Sequence, residues 1–260
     1  MRDKSLRAQA ARTVVPHVGG TESAKRPELL AMSLAARMVA GMGDMSLVDY
    51  ADGQNRQVSV AGHGLNAYGQ WLVSCDMSEL GHVLPTEVRV DVTLQAPHFQ
   101  MVVTAASLHA IGAIEWVSTS GPWITGVVDP SSVYLHYVAG TCAFDFDEVV
   151  RHVSRQPALS MDRLGQYDVA GALSEDDLAL LVQGVRRGVV AGEVYPPMMH
   201  PVCEHLRNRS FVVDVCEVGI TVLRMTNDAR IAAYVTFDSP ARSLENLSAT
   251  LEGLVAQASA

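Results

Sequence analysis

Glu87–Leu94 reads EVRVDVTL, and its strict alternation decides the first half of the chain. Val88, Val90, Val92 and Leu94 fall on one side of an extended segment; Glu87, Arg89, Asp91 and Thr93 fall on the other. Strand side chains alternate between faces, so this period of two predicts a half-buried strand with a solvated outer face. Working outward, MSLVDY, RQVSVAGHG, QWLVSC, MVVTAASLHAIGAIEWV and SVYLHYVAGTCAF share a richness in Val, Ile, Thr and aromatics. Gly, Pro, Asn and Asp punctuate them. About six strands at this spacing, with no helix of crossover length between them, predict an antiparallel sheet or small barrel.

Helical patterns flank this block. DKSLRAQAAR suits a short helix, and RPELLAMSLAARMVAGMG repeats Leu30, Leu34, Met38 and Met42 every four residues before Gly41 and Gly43 stop it. After Phe144, DFDEVVRHV places Asp145 as an N-cap with Glu148 three residues on. SEDDLALLVQGVRRGVV repeats that relation with Ser174 and Asp177, and Leu178, Leu181, Val182, Val185 and Val189 form its apolar face. PPMMHPVCEHLRNR reads as a further helix entered through prolines. GITVLRMTNDARIAAYVTFDSP then reads as a hairpin turning at Asn227-Asp228, residues that tolerate left-handed backbone angles. An isolated hairpin is marginal, and SLENLSATLEGLVAQA supplies a stripe (Leu244, Leu247, Leu251, Leu254, Ala258) to cover it. The expected class is α+β: a β-barrel domain over residues 1–144 and a smaller C-terminal α+β domain over 145–260.

The 260 residues carry a net charge of -9 and 48% hydrophobic residues, enough to build a packed core. That sign disfavours nucleic acid, whose phosphates need a basic face. Cys75, Cys142, Cys203 and Cys216 are widely spaced, without a CxxC, and read as reduced thiols of a cytoplasmic protein. No apolar run approaches the roughly 20 residues that span a bilayer, and the opening MRDKSLRAQAARTVVPHVGG lacks the apolar stretch of a secretory signal. No membrane association is expected.

HExxH, GxSxG, CxxC and GxxxxGK[ST] are all absent. GHGLNAYG has glycines without dinucleotide-loop spacing and reads as a turn between strands. Histidine is the usual side-chain ligand of metals and haem iron. Of nine, His109 and His136 lie inside strands, where a satisfied or solvent-facing ring is the ordinary reading. His63 sits between glycines that would let a flat ligand approach. MMHPVCEH brings His200, Cys203 and His205 close in sequence, but His200 and His205 are five apart and share no helix face, so no metal site is expected there. Arg207 and Arg209 follow, and Arg186 and Arg187 precede; guanidinium forks suit phosphate or propionate.

SVYLHYVAGTCAFDFDEVVRH resembles a barrel's closing strand running into an added domain. FVVDVCEVGITVLRM and ARIAAYVTFDSPARSLENLSATLEGLVAQA resemble that domain's finish, with an F-x-x-P exit at Phe237–Pro240. In element order the chain is similar to the pyridoxamine-phosphate-oxidase-like split barrels with an extra C-terminal domain, the HugZ-type haem-utilisation branch. The resemblance implies an antiparallel split barrel, a homodimer and a ligand at the subunit interface. It also implies a tetrapyrrole, haem, as that ligand, for haem or iron utilisation and haem degradation. Candidate cofactor-binding residues are His200, His205 and His63 for iron, with Arg207 and Arg209 for the propionates. Two alternatives stay open: an FMN-dependent oxidoreductase, and a non-enzymatic dimeric binding or regulatory module. GALSEDDLAL, where such proteins often carry a histidine-rich segment, keeps Glu175, Asp176 and Asp177 but has no histidine. The basic and hydroxyl pattern that holds FMN phosphate has no match; Arg89 and Thr93 share one strand in other surroundings.

Overall fold

The computed structural model describes residues 25–49, 55–80, 82–96, 102–155, 162–199 and 203–260. The helix expected in DKSLRAQAAR lies outside them. Helix α1 (Lys25–Val39) leads into β1 (Asp44–Asp49), β2 (Arg56–Leu65), β3 (Trp71–Asp76), β4 (Glu87–Gln95), β5 (Thr104–Ser120), β6 (Trp123–Tyr137) and β7 (Gly140–Asp145). Their order is β3-β2-β1-β4-β5-β6-β7, every pairing is antiparallel, and β3 also pairs with β6. That last pairing closes six strands into a barrel and leaves β7 as an extension beside β6. The alternation in β4 holds as read: Val88, Val90, Val92 and Leu94 are fully buried, while Glu87, Arg89, Asp91 and Thr93 are not.

The strand boundaries differ from expectation in three places. Strand β6 begins at Trp123, so its first half, WITGVVDPS, which carries the pairing with β3, lies outside the expected strands. SVYLHYVAGTCAF is a hairpin rather than one strand, turning at Val138-Ala139 so that Tyr137 pairs with Gly140. In GHGLNAYG, Gly62–Leu65 belong to β2, and only Asn66–Gln70 form the turn, held by Asn66 Oδ1 accepting from the Tyr68 and Gln70 amides.

The remaining elements are α2 (Phe146–Val153), α3 (Arg163–Gly171), α4 (Glu175–Arg187), β8 (Gly192–Val194), β9 (Met198–Met199), β10 (Ser210–Cys216), β11 (Gly219–Met225), β12 (Ala229–Thr236) and α5 (Leu244–Ser259). Strands β10-β11-β12-β8 form a second antiparallel sheet, with β9 also on β12. The caps are those read from sequence: Asp145 accepts from the Glu148 amide, and Ser174 and Asp177 make a reciprocal capping box. Helix α4 stops at Arg187, because Gly188 takes a left-handed φ of 72° as its C-cap; Val189 is therefore not on its face. PPMMHPVCEHLRNR is not a helix. Its described part is β9 and a 3₁₀ turn at Glu204–Leu206, and the prolines leave no room for an i to i+4 ladder. The hairpin turn at Asn227-Asp228 is present, but neither residue uses positive φ; Thr226 Oγ1 instead bonds both the amide and the carbonyl of Ala229.

Both faces of the second sheet are covered. Val212, Val215, Ile220, Val222, Ile231, Ala233 and Val235 pack under α4 and α5, where Leu181, Leu247, Leu251 and Ala258 are almost fully buried. The opposite face (Phe211, Val213, Leu223, Met225, Ala232, Tyr234) joins the barrel core and α1. Each fully buried aliphatic side chain contributes about 1.5–3 kcal/mol, so this shared core binds the two layers firmly. A bulge in β10 between Val212 and Asp214 sets one side chain in it. Strict alternation would put Asp214 on the same face as Val212, among the apolar side chains under α4 and α5. The extra residue leaves Val215 on that face and turns Asp214 toward α1. There Arg37 grips it through Nη1 at 2.9 Å and Nη2 at 2.6 Å, and Tyr167 of α3 donates to the Val213 carbonyl beside it.

Candidate functional site

The outer face of the barrel carries two hydrogen-bonded polar groups on neighbouring strands, which meet in a ring contact between His109 and His136. On β4, Arg89 donates through Nε and Nη2 to the carboxylate of Asp91, at 2.9 and 2.7 Å. Asp91 is directly opposite His109 on β5, and His109 Nδ1 lies 2.7 Å from Asp91 Oδ1. His136 on β6 stands diagonal to His109, their ring centres 5.2 Å apart at 69°. Its Nδ1 lies 2.9 Å from Thr141 Oγ1 on β7, directly across the ladder. Cross-strand neighbours sit about 4.5–5.5 Å apart, so register alone brings these groups together.

Solvation makes this face suited to a ligand. The side chains of Arg89 and His109 are 41% and 40% exposed and that of Asp91 only 19%, so the carboxylate is sheltered and the imidazole accessible. Burial alone would raise the Asp91 carboxyl, but hydrogen bonds from Arg89 and His109 outweigh it and hold the group below its ordinary value. A carboxylate on Nδ1 fixes the ring's tautomer, which leaves Nε2 as the donor atom for iron or for a proton. Tyr134, opposite His109, and Ile111, opposite Arg89, are more than half or about half exposed and give the face an apolar component.

The residues singled out from sequence are dispersed. His63 is in β2, half-buried, with Nε2 3.2 Å from the Gly43 carbonyl and its ring edge-on to Trp71. Its Nδ1 is buried without a hydrogen-bond partner, and burial pushes the imidazole below its ordinary pKa. His205 is exposed in the 3₁₀ turn after β9, and Arg207 is exposed beyond it. Arg209 holds Glu175 of α4 at 2.6 Å and lies over the Phe211 ring. His200 lies outside the described residues. No hydrogen bond, ion pair or ring contact joins His63 to His205 among the described residues. The sequence placed His109 as an ordinary strand histidine and Asp91 on the outer side of β4, but not their pairing, because the register across the β4–β5 connection is not written in either strand.

A cleft of about 480 Å³ opens beside α2, lined by Gln70, Phe146 and three carboxylate residues, Glu115, Asp129 and Asp147. The volume suits a small ligand, but the charge is wrong for an anion such as a haem propionate. Among the described residues no group of three or more His, Cys, Asp or Glu could hold a metal ion, and no helix is long and apolar enough to cross a membrane. Cys75 and Cys216 are free and buried, their thiols pushed up to about 11 and about 12 by burial, and so unreactive at neutral pH.

No family model matches the chain, and no curated protein matches it. Solved structures do. A haem-binding protein from Mycobacterium smegmatis is 11% identical with a TM-score of 0.48, covering 88% of this chain and 97% of that one. A protein of unknown function from Agrobacterium tumefaciens is 10% identical with a TM-score of 0.35, covering 94% and 100%. Hcp2 from Salmonella typhimurium is 10% identical with a TM-score of 0.25, covering 40% and 96%. None of these matches assigns the chain to a family.

Proposed function

We propose that the protein binds haem on the outer face of its barrel, with His109 as the axial ligand and a second copy of the chain covering the macrocycle. The observation that carries this reading is the Asp91–His109 pair: a carboxylate 2.7 Å from Nδ1, with the ring otherwise accessible. Haem iron is commonly held by one histidine whose other nitrogen is hydrogen-bonded. Arg89 adds positive charge beside it, and exposed Ile111 and Tyr134 supply apolar surface for a flat ring. An apolar patch of this kind is covered in a homodimer, which the architecture's resemblance also implies. Bound haem would supply an iron centre for oxygen chemistry; the chain's own part is to orient His109 and hold Asp91 charged. Haem or iron utilisation in the cytoplasm is the corresponding role.

Titration of the purified protein with haem tests this. A shifted Soret band is expected, lost in His109→Ala and retained in His63→Ala, His205→Ala and Arg207→Ala. An unmoved free-haem spectrum overturns the reading. Loss of the shift in His63→Ala or His205→Ala, with His109→Ala unaffected, moves the site to those residues. Conversion of haem to a bile pigment with a reductant separates an oxygenase from a binding module, and a yellow protein with FMN bound as purified would replace haem with flavin.

A further inference from the structure

We propose that His109 and His136 together form a two-imidazole site for a divalent transition-metal ion, a site that would compete with haem for His109. Both rings have Nδ1 committed to a neighbour, Asp91 Oδ1 at 2.7 Å and Thr141 Oγ1 at 2.9 Å. Both therefore keep Nε2 as the unshared nitrogen. A metal-ligating histidine nearly always has its other nitrogen engaged in this way, by carboxylate, carbonyl or water. The rings project from adjacent strands on one face, His136 two residues along from the Tyr134 that pairs with His109.

The ring separation fits a shared ion. With zinc–nitrogen bonds of about 2.0–2.1 Å and a tetrahedral angle, two imidazole centres stand about 5 Å apart. The observed 5.2 Å at 69° lies at that value. His136 is exposed and His109 is 40% exposed, so an ion reaches them from solvent. No third protein ligand is present among the described residues, so water completes the shell, as in sites that keep a position open for substrate. Neutral nitrogen donors without a carboxylate on the ion select copper, nickel and zinc over magnesium and calcium.

Isothermal titration of the EDTA-treated full chain with zinc or nickel chloride at pH 7.5 tests the site. One ion per chain is expected, with no response to magnesium. His109→Gln and His136→Gln should each weaken binding at least ~10-fold, and Thr141→Val by about 10-fold through its hold on His136. Thr141→Val removes no ligand and only one exposed hydroxyl, so it also guards against a folding defect. His63→Gln and His205→Gln should leave the affinity unchanged. No binding, or an affinity insensitive to His109→Gln and His136→Gln alike, overturns the proposal. Haem provides the separate readout. His136→Gln should weaken zinc binding as above yet keep the Soret shift, and zinc should displace haem from the wild-type protein. Failure of haem with zinc binding intact removes only the haem reading; failure of zinc with haem binding intact removes only this site.

Discussion

Two Arg–Asp pairs in this molecule share their chemistry and differ in almost everything else. Arg37–Asp214 joins α1 to the bulge of β10, both side chains nearly inaccessible, with Tyr167 O–H donating to the adjoining Val213 carbonyl. Arg89–Asp91 lies along a single strand on the barrel's outer face, with the arginine 41% exposed. In the first, burial disfavours the charge on Arg37, yet Asp214 outweighs it and the guanidinium is held more firmly protonated than usual. Neither partner can be removed without stranding a charge in the core. In the second, water shares the work, and the pair's use is to orient His109. The contrast teaches that the same ion pair is a fastener when desolvated and, when half-solvated, does little more than orient a neighbouring side chain.

The largest expected effect breaks the fastener. Asp214→Ala should cost about 3–5 kcal/mol in denaturant unfolding, because Arg37 is left buried and unpaired. A loss below about 1 kcal/mol would mean that Arg37 finds water, and the contrast would fail. The double variant Arg37→Met with Asp214→Leu should recover most of that loss, as apolar replacements of buried pairs do. Tyr167→Phe, which leaves the Val213 carbonyl without its donor, should cost about 1–2 kcal/mol by the same measurement.

On the exposed side, Asp91→Asn should change stability by no more than about 0.5–1 kcal/mol, yet weaken haem or zinc binding about 10-fold by freeing the His109 ring. The pH dependence sharpens this. The Asp91 carboxyl is held below its ordinary value, so its contribution to stability is present above the normal carboxylate range and is lost as pH falls through the folded value. Asp91→Asn should remove that small acid-side slope. His63 gives a final, small effect of related sign. Its imidazole is depressed by burial, so the unfolded chain takes up the proton first and stability falls as pH drops below about 6.5. His63→Gln should flatten the unfolding midpoint over that window; an unchanged slope would show that His63 is solvated in the folded protein.

Strand β4 was the most legible because one of its faces is dry and the other is not. Val88 to Leu94 alternate in sequence and in burial alike. The second sheet was harder: β10, β11 and most of β12 are buried on both faces, so burial hardly alternates along them. The β6–β7 hairpin was hidden because Val138-Ala139 carries no turn signature beyond Gly140, and PPMMHPVCEHLRNR reads as a helix only because prolines are tolerated at a helix start. For the site, the sequence offered the histidines but not their partners. Asp91 meets His109 through strand register, which depends on a connection whose length says little about its path.

What the sequence by itself determined is therefore local: the alternation of β4, the caps at Asp145 and Ser174, and the leucine stripe that closes the second layer. Periodicity and capping act over a few residues, and so they can be read from a few residues. Only the tertiary structure decided that β3 meets β6, that a bulge turns Asp214 to Arg37, and that the Asp91–His109 and His136–Thr141 pairs stand side by side on one face. Those are contacts between distant segments, and their register is set by the packing of the whole core rather than by any stretch of chain.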